Sequence, residues 1–340
     1  MVKQSEIAKK AGVSLATVSL ALNNHPRVSA RTRQKVMEVA SKFGYVPNHA
    51  ARKLAQRRFG DGEARGLDRI VFVIVEDVRG PEIAAPYLAM LKGAEYNISG
   101  KGGMLTFLRC DHESRRQKLT ALAHSGEVDG WLLVGRVDDE IVRIVKSLGR
   151  PFVVLGDHQC TEPVNSVVVD DQAVGRMAVQ HLVAAGHKRI GFMGGSMHFE
   201  YQRGVLAGFE RAIKDMGLEA DPKLIETTLS RPEDMDITAM FEHLQHLTPP
   251  PTAIFLAEPK FGRMAIFVSR HSGNKAMQAM TFVAYEIEDF SAVDQRLDVI
   301  ESPLSEVGRA GVALLREVTE EKNIQSRRIL ITPRLRLKQE

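Results

Sequence analysis

Ser14, Leu15, Ala16 and Thr17, followed by Ser19, Leu20 and Asn23, form a run of small hydroxyl, amide and apolar side chains without a single carboxylate. Hydroxyls and an amide of this kind suit phosphate oxygens. Leu15, Ala16 and Leu20 cannot hydrogen-bond a base, but they can meet the methyl group of thymine. Cationic residues surround the run. Twelve Lys and Arg against Glu6 and Glu38 give residues 1–58 a net charge of +10; the whole chain carries +4, so the remaining 282 residues carry −6. A basic segment on a mildly acidic body is the electrostatic footprint of phosphate binding. The cations, Arg33 among them, are interleaved with helix-period apolar residues, which argues against a solubilising tail.

The elements needed to present these groups are legible. Ile7, Ala8, Ala11, Val13, Val18 and Leu22 recur at three- and four-residue spacing, as the inner face of two short helices would. Gly12 permits the turn between them, and Ser14 is a natural N-cap for the second. Ser29 caps a third helix with Val28 ahead of it as a staple; Val36, Val39, Ala40 and Phe43 are expected inside, and Gly44 ends it. Three such helices make a helix-turn-helix unit whose second helix enters the major groove. Core packing is the competing role for Leu15, Ala16 and Leu20, but Val13, Val18 and Leu22 already fill the inner face.

Residues 56–66 combine glycine and charge without periodicity and read as a linker. Beyond them, apolar runs at 70–75, 104–108, 130–135, 151–156, 166–169, 189–195, 252–257, 280–285 and 299–304 alternate with helical stretches. Such runs mean buried parallel strands in doubly wound sheets. No glycine-rich phosphate loop, dinucleotide fingerprint or nucleophile elbow appears, so neither an enzyme nor a cofactor is expected. Cys110 and Cys160 lack metal-ligand spacing and read as reduced, partly buried thiols. His181 and His187 are wrongly spaced for a metal; His243 and His246 suit a solvated helix face better than a shared ion. No signal-peptide core or membrane-length apolar run is seen, so a cytoplasmic protein is expected.

Taken in order, A-x-x-A-G-V-S-x-x-T-V-S-x-x-L-N from Ala8 and V-S-x-x-T-R-x-K-V from Val28, ending in G-Y-x-P-N-x-x-A-x-x-L at Leu54, resemble the lactose-repressor (LacI/GalR) family of bacterial transcription regulators. The resemblance implies a small all-α head, a hinge helix that folds on DNA, and a two-lobed α/β body like a periplasmic sugar-binding protein, with parallel sheets. The corresponding boundaries are 1–46 for the head, 47–58 for the hinge helix and 59–68 for the linker. The first lobe is expected at 69–160 plus about 300–323, the second at 161–299 plus about 324–340. The hinge residues implied are Asn48, Ala51, Arg52 and Leu54, with Leu54 wedged into the central base step of a palindromic operator. An apolar side chain beside Arg52 and Lys53 suits that role.

The family's cleft holds an effector between the lobes. Here Val205 stands where the family carries an arginine, Glu258-Pro259 where it has Asn-Asp, and Ala284-Tyr285-Glu286 where it has Gly-Phe-Asp. Asp77, Asp157, Arg203, Glu258 and Glu286 are the candidate effector residues, because strand ends are where α/β proteins bind ligands. The partners implied are double-stranded operator DNA, a sugar-like or other small molecule, and a second copy, since two half-sites need two-fold symmetry. Repression is the family's common mode. Val205 and Pro259 keep open an alternative: a ligand-independent regulator with a degenerate cleft.

Overall fold

The computed structural model describes residues 4–22, 28–43, 67–76, 84–100, 102–125, 128–228, 236–259, 261–271, 278–287, 297–321 and 325–338. The chain divides into two compact units, Met1–Ala64 and Arg65–Glu340. The hinge expected at 47–58, the greater part of the linker, Asn23, Gly44 and Asp77 lie outside the described residues.

In the first unit α1 (Gln4–Ala11), α2 (Leu15–Leu22) and α3 (Ala30–Lys42) enclose one small core. Gly12, at φ +64°, makes the left-handed turn that joins α1 to α2. Thr17 N donates to Ser14 Oγ at 3.0 Å and Thr32 N to Ser29 Oγ at 3.2 Å, so both expected caps are present. Ile7, Ala11, Val18 and Val36 are fully buried. Two details differ from the periodicity. Ala21 is buried where Val13 and Leu22 are only half-buried, because α2 turns its Val18–Ala21 edge inward. Phe43 is not inside: it is exposed at the end of α3, with Lys10 Nζ 4.5 Å from its ring centroid.

The second unit runs β1 (Arg69–Val75), α4 (Ala85–Ser99), β2 (Met104–Cys110), α5 (Arg115–His124), β3 (Gly130–Gly135), α6 (Asp139–Ser147), β4 (Phe152–Leu155), β5 (Ser166–Val169), α7 (Asp171–Ala184), β6 (Ile190–Ser196) and α8 (Glu200–Asp215). It continues through β7 (Ile225–Thr228), α9 (Ile237–His246), β8 (Ala253–Leu256), α10 (Phe261–His271), β9 (Thr281–Ile287), β10 (Asp298–Ser302), α11 (Leu304–Glu320), β11 (Arg328–Ile331) and β12 (Arg334–Arg336). Two six-stranded sheets result, ordered β11-β5-β4-β3-β1-β2 and β12-β10-β9-β8-β6-β7. Every pairing is parallel except β12 against β10.

Parallel strands must be covered on both faces, and the alternation of side chains does this. Ile70, Phe72 and Ile74 of β1 face α4 and α11, while Val71, Val73 and Val75 face α5 and α6. In the second sheet Val283 and Tyr285 face α7 and α8, and Phe282 and Ala284 face α9 and α10. The chain passes between the sheets after β5, after β10 and after β11, three crossings in all. This corrects the expected lobe boundaries. The first lobe reaches Val169, because β5 continues the β4 ladder through Val154 and Leu155, and it also owns β11, which pairs with β5. β10 belongs to the second sheet, so only α11 and β11 return to the first lobe.

In each lobe one helix pair meets backbone to backbone. A Cβ on Gly175 of α7 would lie 2.1 Å from the Val205 carbonyl oxygen, and one on Gly208 of α8 would lie 2.1 Å from that of Gln172. The first lobe repeats the device: a Cβ on Gly93 of α4 would lie 1.8 Å from the Ser305 carbonyl oxygen, and one on Gly308 of α11 would lie 1.9 Å from that of Met90. Neither helix can yield without leaving the sheet. Gly208→Ala is therefore expected to overpack this seam at a cost of about 1–3 kcal/mol or more, read as a melting temperature several degrees lower; an unchanged melting point would show that the seam relaxes freely.

Candidate nucleic-acid interface and effector cleft

The first turn of α2 is the exposed tip of the first unit. Leu15 is 53 % exposed and Ala16 is also exposed, whereas Leu20 is half-buried against the core. Leu15 and Ala16 are thus available to a groove, and Leu20 divides its surface between the groove and the core. The Ser14 and Thr17 hydroxyls bond each other at 2.8 Å while Ser14 Oγ caps the helix, and Ser19 is half-buried one turn on. Lys9, Lys10, Arg31, Lys35 and Lys42 are exposed. Arg33 is less available: it is half-buried, and its Nη2 donates to the Val28 carbonyl at 3.2 Å, which ties α3 to the turn before it.

In the second unit the carboxyl ends of the two sheets face each other. The contact that shows this runs from Asp157, just beyond β4, to the start of α8: Glu200 N donates to Asp157 Oδ2 at 2.9 Å. Asp157 supplies from one lobe the cap that α8 lacks in its own, since Phe199 at the N-cap position makes no side-chain bond. Burial raises the Asp157 carboxyl to about 6, partly offset by that backbone bond. Asp171, opening α7, is pushed up to about 8 by burial and by the nearby Asp157 charge, with Arg328 acting in the opposite sense.

Glu258 and Glu286 stand at the ends of the adjacent strands β8 and β9, only 7 % and 4 % exposed. Glu258 Oε2 accepts from Tyr201 OH at 2.9 Å and from Gln202 Nε2 at 3.0 Å. Gln202, fully buried, also donates to the Ala257 carbonyl and accepts from Gly195 N, tying β6, β8 and α8 together. A Cβ on Gly195 would lie 2.5 Å from Glu258 Oε2, so the bare strand end makes room for the carboxylate. Glu286 is raised to about 8, mainly by burial. Burial likewise holds the Tyr201 and Tyr285 hydroxyls above the ordinary range and pushes Tyr87 up to about 12.

Of the five candidate cleft residues, the structure brings together Asp157, Glu258 and Glu286 at the strand ends, and Asp77 lies outside the described residues. Arg203 is turned away: exposed on α8, its Nη1 donates to the carbonyls of Met197 and His198 at 2.6 and 3.0 Å. Asp171, Tyr201 and Gln202 were missed. Their one sequence signal is position, since each lies at or next to the first turn of a helix that follows a strand. The histidines are structural: His181 Nε2 meets Asp298 Oδ2 at 2.8 Å, His187 bonds Thr252, and His243 pairs with Glu226. Among the described residues no three His, Cys, Asp or Glu are grouped as a metal ion needs, and no helix is long and apolar enough to cross a membrane. Cys110 is buried and Cys160 half-buried, both unbridged.

Known proteins share this layout. Residues 5–48 match the family model for bacterial regulatory proteins of the lacI family, and residues 70–340 match that for periplasmic binding proteins and the sugar-binding domain of the LacI family. The HTH-type transcriptional repressor CytR of Escherichia coli is 27 % identical over 328 residues, covering 94 % of this chain and 91 % of the relative. Among solved structures, the lac repressor dimer bound to operator and the anti-inducer ONPF aligns with a TM-score of 0.72 at 22 % identity, over 98 % and 97 % of the two chains. The CelR–cellobiose complex aligns with a TM-score of 0.65 at 24 % identity, over 99 % of each.

The raised carboxyls fix how stability depends on pH. Asp171 and Glu286 hold protons in the folded state up to about pH 8, whereas the unfolded chain releases them near pH 4. Their contribution is fully present below pH 4 and is lost as pH rises through 8. Glu286→Gln, which cannot ionise, is expected to flatten the fall in melting temperature between pH 5 and 9. An equally steep profile in the variant would show that Glu286 does not take up the proton.

Proposed function

The chain belongs to the LacI family of bacterial regulatory proteins, and from that premise we propose that it is a transcription repressor that binds a palindromic operator as a homodimer and is modulated by a small molecule held between the two lobes of its body. The observation that carries the DNA-binding half is the exposed, capped start of α2, where Leu15 and Ala16 stand among surface cations. Leu15 and Ala16 meet thymine methyl groups, Ser14, Thr17, Ser19 and Asn23 meet phosphates, and Asn48, Ala51, Arg52 and Leu54 form the hinge that wedges the operator centre. The lysines supply a sequence-independent, salt-sensitive attraction. Such a protein works where the chromosome is, in the cytoplasm, and catalyses no reaction. The facing carboxyl ends of the two sheets, with buried polar groups from both lobes, support the effector half of the reading and weigh against a degenerate cleft.

Exposed apolar side chains on β2 and α10 support the dimer. Met104 and Phe107 on the edge strand β2 are 59 % and 41 % exposed, and Phe267 on α10 is 58 % exposed. A second copy is the occupant that two-fold operator symmetry requires. Sedimentation at micromolar concentration is expected to give a dimer, and a stable monomer would remove this part of the proposal.

Selection of binding sites from random duplexes tests the reading face. Leu15→Gln is expected to change the preferred bases. Lys35→Ala is expected to weaken all sequences alike and to reduce the slope of log affinity against log salt by about 1. The same selected motif from wild type and Leu15→Gln would refute the assignment.

A further inference from the structure

Carboxyl groups join the two lobes of the body at the strand ends. Asp157, on the first lobe just beyond β4, accepts the Glu200 N–H of the second lobe at 2.9 Å and the Tyr201 N–H as well. Both amides stand in the first turn of α8, where no carbonyl of the helix itself can reach them. Asp157 is their acceptor, and it serves them only while the lobes are together.

The same approach brings the Glu200 carboxyl within hydrogen-bond reach of the Asp157 carboxyl. A carboxylate has no proton to donate, so a bond between these two groups requires that one of them be protonated. With both ionised, the pair repels across the joint. Asp171, at the start of α7, adds a third carboxyl whose ionisation Asp157 opposes. The other charged and titratable groups around the junction are His158, Asp170, Arg328 of β11, and Tyr87 of α4 with Glu76 and Arg136. Arg328 favours the ionised Asp171 and the neutral His158, and Arg136 favours the ionised Tyr87. With these cations in place Asp157 still titrates at about 6 and Asp171 at about 8.

We propose that Asp157 and Glu200 form a proton-linked clasp between the lobes, which closes by sharing a proton and loosens as that proton leaves. The sign follows from the two ends of the equilibrium. With the lobes parted, Asp157 meets water and releases its proton at about pH 4. With the lobes joined, it keeps the proton up to about pH 6. The clasp is therefore favoured most below pH 4 and loses that advantage as pH rises through 6. Between pH 5 and pH 8 the closure constant falls about tenfold. Asp171 extends the fall toward pH 8, and His158, held neutral by burial and by Arg328, opposes it at the acid end. The clasp needs no effector; its influence on DNA binding rests on the reading of the body as the regulator of the head.

Hydrogen exchange at the start of α8 tests the clasp in the full-length protein. Protection of the Glu200 and Tyr201 amides, corrected for the intrinsic rate, is read by mass spectrometry of overlapping peptides from pH 5 to pH 8. Affinity for the duplex chosen by site selection is measured in parallel. Wild-type protection is expected to fall about tenfold over this range. Asp157→Asn keeps an acceptor for the two amides and cannot ionise, so its protection is expected to fall far less. Glu200→Gln puts a donor where the second carboxyl stood and is expected to hold its protection at pH 8; it decides the matter should Asp157→Asn fail to fold. Wild-type protection that does not fall with pH, or that falls as steeply in the variants, overturns the proposal. If protection follows the expected course while DNA affinity changes with pH alike in wild type and variants, the clasp stands and the reading of the body as regulator of the head falls.

Discussion

A parallel sheet has no solvent face, and this constraint shapes the body more than any single bond. Each strand of Val, Ile and Phe must meet helices on both sides. The helices over one face of each sheet must then lie close enough to seal it. Glycines do this: Gly93 and Gly308 in the first lobe, Gly175 and Gly208 in the second, each set against a carbonyl of the opposite helix. With both faces covered, the carboxyl ends of the strands are the part of each sheet left to receive other groups. The three crossings turn those ends toward each other.

The cleft that results buries carboxyl groups, which is unfavourable unless they are neutralised or bonded. The structure uses both means. Glu258 takes hydrogen bonds from Tyr201 and Gln202, and Asp157 takes one from the backbone at the start of α8. Asp171 and Glu286 keep their protons instead. Asp157 also joins the lobes, because a carboxylate of the first lobe completes a helix terminus of the second.

The small head follows an opposite economy. Its core is a handful of side chains, with Ile7, Ala11, Val18 and Val36 fully buried. Self-capping at Ser14 and Ser29 spares the helices any need for outside partners at these ends. The first turn of α2 can then present Leu15 and Ala16 outward, and the cations remain on the surface.

Local physics made much of this legible in the sequence. The cap residues, Gly12, the helix periods of the head and the nine long apolar runs of the body each depend on neighbours a few positions away, and each became the element they signal. The strands that escaped notice, β7, β11 and β12, are sheet edges: short, half-exposed and carrying Arg or Glu, so they lack the apolar run that marks a central strand. Phe43 looked internal by period, yet the end of α3 leaves it under Lys10. Glu258 and Glu286 were recognisable as strand-end acids, and Arg203 as a basic residue at a helix start. Composition and spacing alone determined that a basic three-helix head precedes a doubly wound body. Only the tertiary structure decided that β5 and β11 belong to the first sheet, that Arg203 turns from the cleft, and that Tyr201 and Gln202 meet Glu258. The sheet order and the Glu258 bonds depend on contacts between residues twelve to more than a hundred positions apart, and Arg203 is held by carbonyls five and six positions back in its own loop; no local period encodes any of them.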